Sequence, residues 1–139
     1  MEYMRVVLDD DAIMPIRAHA EDAGFDLFAP HPFSVPAHGY AFVDTGVHIE
    51  LPYMTCGKVC SKSGLNRFHG ITADGTVDEG YTGSIGVTLH NSGDSTYEFD
   101  RGDKVAQVVV ERIMRPVLVA TDELRESERG DSGFGSTGR

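Results

Sequence analysis

Apolar residues fall in short alternating runs along most of the chain, and that is strand patterning. Gly83–Asn91 reads Gly-Ser-Ile-Gly-Val-Thr-Leu-His-Asn, with Ile85, Val87 and Leu89 at every second position. A period of two puts those side chains on one face of a half-buried strand. Gly39–Leu51 is rich in β-branched and aromatic residues and stops at Pro52, and Met54–Cys60 follows after a turn. Val105-Ala-Gln-Val-Val-Val110 is almost continuously apolar, which suits a strand covered on both faces. Tight-turn chemistry separates these runs at Asp74-Gly75, Asn91-Ser-Gly-Asp94 and Asp100-Arg-Gly-Asp103.

Helical patterning is scarce. Ser63-Gly-Leu-Asn-Arg-Phe68 fits a turn or two, capped by Ser61 or Ser63 and stopped by Gly70. Thr121–Glu128 is a second candidate, although its charges leave no clear apolar face. Many short strands joined by glycine-rich turns predict an all-β barrel or sandwich. Gln107 conflicts with its apolar surroundings: it is a strand-end amide facing water, or it is aimed at a ligand or a subunit interface.

A chain of 139 residues fits one domain with a real core. Twelve basic against 22 acidic residues give a net charge of −10, which argues against general nucleic-acid or anionic-membrane binding. An anionic ligand then needs a local cationic cluster or a metal ion. No apolar run approaches the length of a spanning helix, and Met1–Arg5 lacks a signal-peptide pattern, so a cytoplasmic location is expected. Cys56 and Cys60, four apart on a strand, would lie about 13 Å from each other, too far for one disulfide or one zinc. Both read as reduced packing cysteines. The six histidines show no metal-ligand spacing, and Asp9-Asp-Asp11 reads as a solvated charge run.

The last eleven residues, Arg129-Gly-Asp-Ser-Gly-Phe-Gly-Ser-Thr-Gly-Arg139, combine four glycines and several hydroxyls with an arginine at either end and one aromatic. Such backbone curls so that N–H groups point inward around phosphate oxygens. Arg129 and Arg139 suit charge-assisted bonds, and Phe134 has a face for stacking on a flat ring. A flap over a nucleotide is one reading; a Gly/Ser-rich disordered end is the other. Four further segments carry chemistry: Ala23-Gly-Phe-Asp-Leu27, Ser61-Lys-Ser-Gly-Leu65, Gly75-Thr-Val-Asp-Glu-Gly-Tyr-Thr-Gly83 and Arg101-Gly-Asp-Lys-Val-Ala-Gln107. Each alone is weak.

In this order and at these spacings, the five segments closely resemble the motifs of the trimeric deoxyuridine triphosphate nucleotidohydrolases (dUTPases), over Ala23–Gly138. The resemblance implies a distorted jelly-roll β-barrel over residues 1–125, with one short helix, and a flexible glycine-rich flap over residues 126–139. It implies a homotrimer with shared active sites, each cleaving dUTP to dUMP and pyrophosphate with Mg²⁺. On that resemblance Asp78 is the base that activates the attacking water, and Ser63 donates to the phosphates near the scissile bond. Lys62, Gly64 and Gln107 contact the phosphates, and Asp26 binds water around a magnesium ion held mainly by the triphosphate. Thr72, Gly75, Thr76, Val77 and Gly86 surround the uracil, and Tyr81 lies under the deoxyribose. Arg129 reaches the γ-phosphate, Phe134 stacks on uracil, and Gly135, Ser136 and Thr137 add phosphate contacts.

Two positions depart from the family pattern. Lys62 stands where arginine is usual, which keeps the charge and loses the bidentate fork. Thr72 stands where many bacterial members have a uracil-binding asparagine, leaving more of the reading to backbone groups. Two other functions compete. A deoxycytidine triphosphate deaminase of the same fold needs a glutamate at the position of Thr88, which cannot shuttle a proton. A regulatory module that captures a protein partner would not require the filled catalytic positions.

Overall fold

The computed structural model describes residues 2–138. Ten strands and one short helix follow one another: β1 (Arg5–Leu8), β2 (Gly24–Phe28), β3 (Phe33–Val35), β4 (Tyr40–Asp44), β5 (Val47–Glu50), β6 (Thr55–Cys60), α1 (Ser63–His69), β7 (Ile71–Val77), β8 (Gly86–Asn91), β9 (Tyr97–Phe99) and β10 (Lys104–Arg112). Six strands form one curled sheet in the order β2-β10-β6-β7-β8-β4, and β1-β5 and β3-β9 make two small ribbons. Every recorded pairing is antiparallel. The arrangement is the mostly-β half-barrel that the patterning led us to expect, and it is consistent with the jelly roll that the resemblance implied.

The predicted period of two is the periodicity of burial. Ile85, Val87 and Leu89 are all buried, and they meet Leu27, Val43, Ile71, Val105 and Val108 in one core. β10 is covered on both faces only at its start. Val105, Ala106 and Val108 are buried, whereas Val109 and Val110 are half-buried. Cys56 is buried and Cys60 half-buried, and both are free thiols.

The single long run expected over Gly39–Leu51 divides into β4 and β5, which pair with different partners, β8 and β1. The break is at Thr45-Gly46. Gly46 takes a left-handed φ of 68°. Thr45 is fully buried, its backbone N–H and its hydroxyl donate to the Ile85 carbonyl at 3.0 and 2.7 Å, and its Oγ1 accepts from Val47 N–H. The bend therefore fixes Ile85, the residue that leads into β8.

Neither serine caps the helix. Lys62 is the N-cap residue, and its ammonium has no acceptor for the free N–H groups of the first turn, while Ser61 is engaged with Ala73. The expected stop at Gly70 is observed, with a φ of 65°. Thr121–Glu128 is not helical, in keeping with its missing apolar face. Beyond β10 the described residues form no regular element, and Met114, Val117, Leu118 and Val119 are strongly exposed. Among the described residues no helix is long and apolar enough to cross a membrane.

Gly46→Ala should cost about 1–2 kcal/mol, the penalty of a left-handed non-glycine residue, because its methyl also lands 2.9 Å from the Ala12 Cβ. Urea unfolding of the two proteins checks this; equal midpoints would show that the bend does not need glycine.

Candidate active site

β7 and β8 begin as ordinary neighbours and then part. Their pairing runs Ile71↔Asn91, Thr72↔His90 and Ala73↔Leu89, and goes no further. Beyond that point Asp74–Val77 pair only with β6, and Gly86–Thr88 pair only with β4. The facing edges keep gap-directed N–H and C=O groups with no strand opposite them. Such groups are satisfied by water or by a ligand that carries donors and acceptors. Ser61 fixes the place of parting, since its Oγ donates to the Ala73 carbonyl at 3.0 Å and accepts from Ala73 N–H at 2.9 Å.

The gap opens into a cavity of about 370 Å³ lined by Phe42, Val59, Gly75, Thr76, Val77, Asp78, Tyr81, Ser84 and Gly86. Six of the residues expected around a nucleoside are therefore brought together: Gly75, Thr76, Val77, Asp78, Tyr81 and Gly86. Asp78 is exposed where β7 ends, and its carbonyl accepts from Tyr81 N–H at 3.0 Å, closing a turn. The Tyr81 hydroxyl donates to the Ser84 carbonyl at 2.8 Å, and a Cβ on Gly83 would come within 2.5 Å of that hydroxyl. Glycine at 83 is thus what lets the tyrosine ring fold back over the loop. Thr72 lies in the paired part of the hairpin opposite His90 and does not line this cavity.

A cationic cluster occupies the β2-β10-β6 part of the sheet. Asp26 is 4% exposed, with Lys62 Nζ 2.5 Å from Oδ1 and Lys104 Nζ 3.1 Å from Oδ2. Burial pushes this carboxyl up, but hydrogen bonds and charge from Lys62 and then Lys104 outweigh it and hold the group below its ordinary range. Gln107 sits in register between Asp26 and Cys60 and donates to the Ser61 carbonyl at 3.1 Å. Its amide oxygen would lie 2.6 Å from a Cβ on Gly24, so glycine in β2 makes room for it. Lys62, Gly64 and Lys104 line a second cavity with Asp103, whose carboxylate accepts from Asp100 N–H and holds its turn. Ser63 is exposed on the first turn of α1.

The two cavities share no lining residue, and the tail reaches neither. Arg129 Nε donates to the Ser132 carbonyl, further turns close at Ser136 and Gly138, and Phe134 is fully exposed with a φ of 46°. Gly135, Ser136 and Thr137 follow in the same exposed stretch, and Arg139 lies outside the described residues. Reading motifs alone missed Phe42, Val59 and Ser84 in the cavity and Lys104 on Asp26. Only the lysine carried a signal, being a cation inside the Arg101–Gln107 segment.

The sequence profile described as dUTPase matches residues 10–138. The chain belongs to the dUTPase family. The deoxyuridine 5'-triphosphate nucleotidohydrolase of Clostridium kluyveri is 40% identical over 141 residues, covering 99% of each chain. That of Eremothecium gossypii is 42% identical over 131 residues, covering 93% of this chain and 86% of its own. Among solved structures, the dUTPase of Staphylococcus bacteriophage 80alpha with dUpNHpp superposes with a TM-score of 0.94 at 27% identity, covering all of both chains. A mutant dUTPase of phage phi11 of S. aureus, in which a structural Mg(II) ion is coordinated, gives 0.82 at 26% identity over 88% of this chain and 98% of its own. This dUTPase gathers no group of three His, Cys, Asp or Glu side chains able to hold a metal among its described residues.

His48 ties the Asp9 turn to the loop that carries Tyr81. Its Nδ1 lies 2.8 Å from the Thr82 carbonyl and its Nε2 3.0 Å from Asp9 Oδ1. Both partners are acceptors, an arrangement that favours the doubly protonated ring. The bond to Thr82 and then the Asp9 carboxylate raise its pKa against the opposing effect of desolvation. A raised folded-state pKa gives stability that is full below the unfolded value of about 6.5 and is lost as pH climbs through the folded value. The melting-temperature gap between this dUTPase and its His48→Gln variant should therefore narrow as pH rises above about 6.5. A gap independent of pH would show that the ring is held neutral.

Proposed function

We propose that this dUTPase cleaves dUTP to dUMP and pyrophosphate by water attack on the α-phosphorus, with Asp78 as general base. The parting of β7 from β8 beside Asp78 is the observation that carries the reading. A uracil has a flat edge of two acceptors flanking one donor, and the unpaired edge of Asp74–Val77 is backbone able to match it. A cytosine amino group would set a donor against a donor, which such a site rejects strongly. The Tyr81 ring, held by its bond to Ser84, takes the face of the deoxyribose and leaves no space for a 2′-hydroxyl.

The phosphates extend from Asp78 toward the residues of the cationic cluster. Asp78 accepts a proton from the water as its oxygen bonds to the α-phosphorus, and the bond to the bridging oxygen of pyrophosphate breaks. Ser63 donates near that bridge, and Lys62, Gly64 and Gln107 hold the phosphate chain. Mg²⁺ bound to the triphosphate would supply charge neutralisation for the leaving pyrophosphate, with Asp26 the residue to meet its water shell. Asp26 is free to do so once Lys62 or Lys104 turns from the carboxylate to the phosphates, a move that both long side chains permit.

In one chain the nucleoside cavity, the cationic cluster and the tail stay apart, which supports a homotrimer whose sites draw on several subunits. Residues 126–139 are then a flap that closes over a neighbour's nucleotide, separate from the barrel of residues 1–125. Arg129 takes the γ-phosphate, Phe134 stacks on uracil, and Gly135, Ser136 and Thr137 add donors. Closure excludes bulk water and strengthens every charge contact inside. A cytoplasmic site of action, where dUTP is formed, fits this task.

Product analysis with Mg²⁺ and dUTP, dCTP, dTTP or UTP tests the reading. Pyrophosphate and dUMP should appear from dUTP alone, and ammonia release from dCTP would favour the deaminase. Asp78→Asn should lower kcat by roughly 10²–10⁴, the usual contribution of a positioned base, with KM within a few-fold. Retention of near-full kcat would remove Asp78 from the mechanism.

A further inference from the structure

Phe42 belongs to none of the five motifs, yet it lines the nucleoside cavity. It is 64% exposed, so its ring faces the open cavity and not the core. Its strand, β4, flanks β8, where the register pairs Phe42 with Thr88 and Asp44 with Gly86. The ring does not stand over Thr88. It leans diagonally across β8, so that a Cβ on Gly86 would lie 2.3 Å from its Cζ and 2.4 Å from its Cε2. Only a glycine at 86 admits the ring there, and the ring in turn takes the space above the β8 edge of the slot.

This geometry has a consequence for the base, resting on the uracil reading above. If the edge of the pyrimidine that carries O2, N3 and O4 pairs with β7, the opposite edge, C5 and C6, points toward β8. We propose that the Phe42 ring is the wall met by that C5–C6 edge, which makes it a specificity-determining residue against pyrimidines substituted at C5. Uracil carries only hydrogen there and fits beside the ring. A 5-methyl group runs into it. The apolar ring also contacts C5 and C6 of uracil itself, so it contributes to binding of dUTP while taking no part in the proton transfer at Asp78.

Phe42→Ala and Phe42→Leu test this, with pyrophosphate release from dUTP and dTTP measured in parallel on the full-length protein. For Phe42→Ala, kcat on dUTP should stay within threefold while KM rises several-fold. The dTTP-to-dUTP ratio of kcat/KM should rise about tenfold or more, the scale on which one methyl group is discriminated in an apolar pocket. Phe42→Leu should move both quantities in the same direction by less. An unchanged ratio in both variants overturns the proposal. So does loss of the native oligomer by both variants in size-exclusion chromatography, since that would make the exposed ring an interface residue. Absence of dUTP cleavage by the unmodified protein would instead overturn the functional reading on which the wall depends.

Discussion

The parting of β7 and β8 is the constraint from which the rest of the site follows. A sheet loses backbone hydrogen bonds when two strands separate, and such groups are costly to bury unpaired. Here the loss is confined to the stretch beyond Ala73 and Leu89, and each freed strand stays anchored on its other edge, β7 by β6 and β8 by β4. Ser61 holds Ala73 at the fork, and the Thr45 bend holds Ile85 at the far side. The slot is thus rigid although it is open. On the proposed function, that rigidity lets a backbone edge read a base, because donors and acceptors already in place need little ordering when the ligand arrives.

The electrostatics around Asp26 solve a different problem. A protein of net charge −10 must hold an anion with four negative charges or nearly so. It does not do this with a broad basic surface. A buried carboxylate, Asp26, keeps Lys62 and Lys104 beside each other on adjacent elements. Two ammonium groups so close repel each other unless an anion lies between them, and Asp26 provides one before substrate arrives. On the proposed function, the lysine at 62, a point charge on a flexible stem, exchanges Asp26 for a phosphate oxygen more freely than a guanidinium locked in a fork.

Much of the molecule was legible in sequence where the signal is local. The alternation of Ile85, Val87 and Leu89, the stop at Gly70 and the turn-holding role of Asp103 are decided within a few residues, and each stands as read. The motif residues Gly75–Tyr81 around the cavity share that locality, since they are one continuous segment, the end of β7 and the turn after it. What escaped was set by distant pairing. The division of Gly39–Leu51 depends on β8 and β1 claiming different halves of the run. The helix lost its serine cap because Ser61 is taken by Ala73, twelve residues away in the chain. Asp9, read as part of a solvated charge run, is held by His48 at a separation of 39 residues. Phe42 looked like any strand aromatic until its diagonal lean over Gly86 placed it in the cavity.

Amide hydrogen exchange with and without dUpNHpp and Mg²⁺ tests the slot most directly, because it reads the backbone groups themselves. Protection should appear in Asp74–Val77 and around Gly86, the two edges that part, and should exceed any change in the paired stretch from Ile71 to Ala73. Protection confined to the tail and to Ser63–Leu65, with the two edges exchanging as before, would show that the nucleotide binds elsewhere and that the parted strands do not read the base.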